Sequence, residues 1–210
     1  MNATKNLLPL LLALTCSSAS AQVVLNEVCV SNMNGLAVPN PIDGDNDRED
    51  WVELFNNSAA PVDISGWYLS DNANNPTKWA FPAGAQHNEP AVGGLVVLCS
   101  GWNGFYSGYY CTNFKLTQGA QDDVVLSDAS VTEVDQYILN TPTMADQSRG
   151  RVPDGSGNWA LIANPTPGAA NGAALPEYVE RPVLSPEAGF FNGAVSVTIT
   201  GPAGADIRYT

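Results

Sequence analysis

The chain has 210 residues, with 21 Asp and Glu against 8 Lys and Arg, and a formal net charge of -13. A surface this acidic repels nucleic acid phosphates, so no nucleic acid partner is expected, and it disfavours anionic membranes. Cations, sugars and basic proteins remain as candidate partners.

Residues 1–21 read as a secretory signal. Lys5 precedes the apolar run from Leu7 to Leu14, and small residues end at Ala19-Ser20-Ala21, so the mature chain is expected to start near Gln22. The run is shorter than the ~20 residues needed to cross a bilayer, which points to export without membrane insertion. A lipidated Cys16 is the rival reading, and Ala13-Leu14-Thr15 before it fits a lipoprotein signal poorly. The mature protein is thus expected to be secreted or held at the cell surface.

From Gln22 on, β-branched and aromatic residues alternate between Gly, Pro, Asn and Asp clusters, which predicts an all-β sandwich. The expected strands are Val23–Ser31, Trp51–Asn56, Val62–Ser70, Lys78–Phe81, Leu95–Cys99, Phe114–Thr117, Val124–Leu126, Glu133–Tyr137 and Gln147–Val152. Helical periodicity is absent over any useful window. Gly155-Ser156-Gly157 reads as a hairpin turn. The domain, residues 22–171, is expected to close at Trp159-Ala160-Leu161 and the turn Pro165–Asn171, whose prolines lack ladder donors. Residues 172–181 read as a linker, and 182–210 as the opening of a second β-sandwich, incomplete at Thr210 and continued in a longer protein.

The order of the blocks carries more than their composition. Leu25-Asn26-Glu27-Val28, Asp50-Trp51-Val52-Glu53-Leu54, Asp63-Ile64-Ser65-Gly66-Trp67-Tyr68-Leu69-Ser70-Asp71, Lys78-Trp79-Ala80-Phe81-Pro82 and Asn113-Phe114-Lys115-Leu116 succeed one another. Val124-Val125-Leu126-Ser127-Asp128, Gly150-Arg151-Val152-Pro153-Asp154-Gly155 and Pro165-Thr166-Pro167-Gly168 follow. Over Val23 to Asn171 this series resembles the lamin tail domain of nuclear lamins and secreted bacterial proteins. The resemblance implies an immunoglobulin-like β-sandwich and no family-wide catalytic residue. From Pro182, Pro182-Val183-Leu184-Ser185-Pro186, Gly189-Phe190-Phe191, Ala194–Thr200 and the strand-like Ala205–Thr210 resemble the start of the small C-terminal β-sandwich of chitobiases and hexosaminidases.

Four features invite a chemical reading. Six acidic residues lie between Asp43 and Glu53, and the alternating Asp43, Asp45 and Asp47, with Asp50 and Glu53, suit a hard cation. Calcium is the candidate ion, with Glu27 an alternative ligand to Glu53; a solvated acidic loop is the other reading. An EF-hand is excluded, because Arg48 and Leu54 stand where Gly and Glu are required. In an oxidising compartment Cys99 and Cys111 are expected to form a disulfide that closes an aromatic loop, while Cys29 reads as a small buried side chain. That loop, from Gly101 to Tyr110, holds Trp102, Phe105, Tyr106, Tyr109 and Tyr110. It either covers an open end of the sandwich or presents a recognition surface for a glycan or protein. Trp51, Trp67, Trp79 and Trp159 fall in the ordered blocks and read as core.

Catalysis finds little support. The single histidine, His87, sits in a turn-like stretch without an activated Ser or Cys beside it. Arg149 and Arg151 read as strand arginines that pair with nearby carboxylates. The expected function is therefore a non-catalytic secreted or cell-surface binding or adhesion module. The alternative is an accessory N-terminal region of a larger secreted hydrolase or CotH-type kinase-like protein.

Overall fold

The computed structural model describes residues 22–87, 94–118, 122–141, 143–177 and 181–204. The expected signal over 1–21 and the last expected strand residues, 205–210, lie outside the described residues.

The described residues are strands and turns without a helix. In chain order the strands are β1 (Val23–Cys29), β2 (Val38–Pro39), β3 (Asn46–Asp47), β4 (Asp50–Asn56), β5 (Val62–Asp63) and β6 (Tyr68–Ser70). Then come β7 (Trp79–Ala80), β8 (Gln86–His87), β9 (Leu95–Cys99), β10 (Gly104–Tyr106), β11 (Tyr109–Cys111) and β12 (Asp123–Ser127). The last are β13 (Glu133–Ile138), β14 (Ser148–Arg151), β15 (Trp159–Ile162), β16 (Ala174–Leu175), β17 (Val183–Ser185) and β18 (Thr198–Thr200). An eight-stranded sheet in the order β10-β11-β9-β4-β1-β14-β15-β16 packs on a four-stranded sheet in the order β13-β12-β6-β7. The result is an immunoglobulin-like β-sandwich.

The core between the sheets follows from the pleat, which sends alternate side chains to opposite faces. Val23, Leu25, Val28, Val52, Leu54, Val97 and Cys99 point inward from the large sheet and meet Leu69, Trp79, Val124 and Leu126 of the small one. The phase of β1 changes at Asn26, where the register to β4 shifts between Leu25 and Glu27. That bulge lets Leu25 and Val28 both face the core.

All of β1 is buried, and so is β4 after Asp50. The outer face of these two strands must therefore be covered as well. Cys29, Trp51, Val96, Leu98 and Cys111 form a second apolar cluster there, roofed by Leu36, Val38, Trp102, Tyr106 and Tyr109. Beside it, the outward-facing Glu27 and Glu53 lie beneath the segment 165–171, which runs across them as a strap.

Some elements depart from the sequence expectation, each for a local reason. The expected strand Val62–Ser70 breaks into β5 and β6, because Gly66 turns the chain at φ 72° and donates to Phe81 O. Phe114–Thr117 is not a strand. Only Lys115 bridges, to Ser100, while Phe114 and Leu116 bury their side chains from an irregular segment. The aromatic loop is a hairpin, β10–β11, with β11 parallel to β9. Ala174–Leu175, within the expected linker, joins the sheet edge as β16 through pairing with β15. The turn at Gly155-Ser156-Gly157 does connect an antiparallel pair, β14 and β15. Beyond it, β17 and β18 pair as a separate two-stranded sheet with every side chain exposed.

Candidate functional site

The acidic segment forms a small hairpin, β2–β3, around a turn. Asn40 N donates to Asp45 O, Gly44 N to Asn40 O, and Asn40 Nδ2 to Asp47 at 2.7 Å. Asp43 and Asp45 are exposed, with Asp45 N on Asp43 Oδ1 at 3.0 Å. Asp50 opens β4 opposite Cys99, and burial beside Glu49 raises its pKa to about 6. Glu53, three residues on, projects from the other face of the sheet. The five carboxylates expected to share an ion therefore do not converge, because an odd spacing in a strand separates Asp50 from Glu53. Among the described residues no group of three or more His, Cys, Asp and Glu side chains is arranged to hold a metal ion.

Glu53 instead faces Glu27. The two are direct cross-strand partners, both fully buried. Like charges in that position oppose each other. Glu27 accepts from Ser148 Oγ, Thr166 N and Thr166 Oγ1, and Glu53 accepts from Asn26 Nδ2 at 2.9 Å and Gly168 N at 2.7 Å. Asp154 accepts from Asn26 Nδ2 and Asn171 N. These donors are all uncharged, and none is a cation. Burial is the main reason that both pKa values rise, Glu53 to about 7, with the neighbouring carboxylates adding to it. Asn171 completes the network by donating to Asn26 O and Arg151 O. The segment Pro165–Asn171 is thus clasped to the sheet by carboxyl groups.

The expected Cys99–Cys111 disulfide is absent: Cys29, Cys99 and Cys111 are all buried free thiols. Cys111 stands beside Leu98 in the parallel β9–β11 pair and shares its outward face. Cys99, one residue on, points into the inner core. Two side chains on opposite faces of a sheet cannot meet the Cβ separation a disulfide requires. Burial pushes Cys29 up to about 12 and raises Cys99 and Cys111 as well.

The five loop aromatics divide between the two faces of the hairpin. On the outer face, Trp102, Tyr106 and Tyr109 are half-buried against the second apolar cluster, with Trp102 edge-on to Tyr106. On the other face, Phe105 lies edge-on to Tyr110, which in turn meets Phe81 and Trp79. Phe105 remains 58% exposed. Trp102 and Tyr110 thus pack against the sandwich, while Phe105 faces solvent.

A cleft flanks each side of the hairpin. The outer one, about 330 Å³, is lined by Gly94, Leu95, Val96, Ser107, Gly108, Tyr109, Pro167 and Gly168. The other, about 220 Å³, lies at the seam of the two sheets between Trp79, Ala80, Pro82 and Asn103, Gly104, Phe105. The contribution of the strap to the outer cleft was not visible in the sequence, since Pro167 and Gly168 lie far along the chain from Tyr109.

Arg149 and Arg151 pair as expected. Arg151 holds Asp135 through Nη2 at 2.8 and 2.9 Å, donates to Leu25 O, and lies over Trp159. Arg149 bonds Glu177 at 2.6 Å, which ties the chain beyond β16 to the sheet. His87 lies in β8, paired with Val62.

The family model described as Lamin Tail Domain matches residues 17–140. No curated protein and no solved structure matches the chain.

Proposed function

The chain belongs to the lamin tail domain family, and we propose that it is a non-catalytic, exported recognition module that contacts an extracellular glycan or protein through the β10–β11 hairpin. One observation carries this reading. The hairpin is anchored on both faces by Trp102, Tyr106 and Tyr110, yet it keeps Phe105 exposed and borders a cleft on each side. Anchored aromatics at a sheet edge supply a large contact area that loses little side-chain entropy on binding. Export rests on the signal-like residues 1–21. The β17–β18 hairpin is proposed as the opening of the second module that the sequence from Pro182 resembles.

The test is binding of the mature chain to immobilised wall polysaccharides and to an extracellular protein fraction, compared with a Phe105→Ala/Tyr109→Ala variant. Loss of binding in a variant that still unfolds cooperatively is the expected result. Binding that survives this double change, or bond cleavage by the isolated chain, would overturn the reading.

A further inference from the structure

We propose that the outer cleft is a subsite for a neutral sugar residue, one or two pyranose rings of an extracellular polysaccharide. This inference rests on the reading of the hairpin as a recognition surface and assigns the ligand to one of its two faces.

Size favours the outer cleft over the seam. Its volume, about 330 Å³, enters the range of roughly 300–1,000 Å³ in which small-molecule sites fall, whereas the seam cleft stays below it. Three separate segments converge there: the start of β9, the turn of the hairpin, and the strap. Tyr109 and Pro167 come from different segments and supply rings that suit the C–H faces of a pyranose. Ser107 adds a hydroxyl for its polar rim.

Three glycines keep the remaining wall bare. A Cβ on Gly94 would lie 2.0 Å from Glu53 Cδ, so no side chain fits there. Gly108 and Gly168 adopt φ of 90° and 77°, a region that side chains strain to enter. The wall there is formed by main chain, with Gly168 N already held by Glu53. Charge decides the sugar class. Among the described residues no charged side chain lines this cleft, in a protein of net charge -13, and the Glu53 carboxyl behind its wall is bonded to Gly168 N. An anionic sugar finds no cation among the described lining residues, whereas a neutral one needs none.

The experiment uses the mature chain and calorimetric titration with a soluble neutral β-glucan, a soluble neutral xylan and, as the anionic comparison, polygalacturonate. Binding to at least one neutral polysaccharide is expected, weakened about tenfold by Tyr109→Ala and by Pro167→Ala. Ile42→Ser, exposed in the acidic turn, is expected to leave it unchanged. Pro167→Ala leaves the hairpin untouched, so, with folding checked by urea unfolding, it decides the matter even where Tyr109→Ala compromises folding. Preference for polygalacturonate, no binding to either neutral polymer, or binding that both cleft variants retain would overturn the inference. Loss confined to Phe105→Ala would overturn it too while leaving the hairpin reading intact. Capture of an extracellular protein by a chain that ignores all three polymers would have the same meaning.

Discussion

Raising the pH from 4.5 to 7.5 is expected to destabilise this protein, and Glu53 is the main reason. In the fold its carboxyl is fully buried opposite Glu27, faces Asp154 beyond Asn26, and receives only uncharged donors. Its pKa rises from the ordinary 4.5 to about 7. Between those values the folded state holds a proton that the unfolded chain has released, so stability falls as pH rises through the window and levels off above it. At about 1.4 kcal/mol per pKa unit the full loss is on the order of 3 kcal/mol, a sizeable part of the roughly 5–15 kcal/mol of a typical domain. Glu27 and Asp50 are shifted in the same direction and steepen the slope. Asp63 and Asp146 are shifted down, so their effect falls below this window. The assay is urea unfolding of the mature chain at intervals from pH 4.5 to 7.5, for the wild type and Glu53→Gln. The amide keeps the shape, can still accept from Gly168 N, and does not ionise. The variant is expected to lose markedly less stability across the window and to equal or exceed the wild type at pH 7.5. Equal slopes for the two proteins, or wild-type stability that rises between pH 4.5 and 7, would refute the argument.

Three further outcomes follow from the same structure. All three thiols of the mature chain should titrate with Ellman's reagent in denaturant without prior reduction, and label slowly in the native state because burial raises their pKa values; a single reactive thiol would mean a disulfide after all. Gly94→Ala forces a methyl group onto the Glu53 carboxyl, 2.0 Å from Cδ, and should cost about 1–3 kcal/mol in urea unfolding; an unchanged midpoint would show that the strap side yields freely. Arg151→Met takes the guanidinium from Leu25 O and from Asp135, which keeps only main-chain donors such as Leu25 N, and a loss of about 3–5 kcal/mol is expected; a change below about 1 kcal/mol would mean the pair is worth no more than a surface bridge.

Much of the sandwich was legible from local pattern. β1, β4, β9, β12, β13 and β14 fall within or close to their expected strands, because runs of β-branched and apolar residues bounded by turn formers state their own period. Legibility failed where apolar residues serve the core without a ladder. Phe114 and Leu116 alternate like a strand, yet they are buried from an irregular segment that lacks a neighbouring strand to pair with. The aromatic segment erred in the other direction, since Gly104, Ser107 and Gly108 suggest a loop, while the edge of β9 offers β11 a partner.

The candidate site was legible as a list of residues and not as an arrangement. Acidic residues, aromatics and cysteines could be counted in the sequence, and the aromatic segment does lie at a sheet edge beside two clefts. What the one-dimensional order could not express is the face to which each side chain points. A single residue of phase separates Asp50 from Glu53 and Cys99 from its neighbour across β9–β11, so an expected ion cage and an expected disulfide both came apart in the pleat. Composition and local pattern by themselves determined the all-β class, the main strands and the acidic character, because those depend on residues close in the chain. Strand register, the bulge at Asn26 and the return of the strap over β1 and β4 decided the rest. They join Glu27 to Glu53 and Tyr109 to Pro167 across long stretches of chain, and only tertiary packing holds such distant residues together.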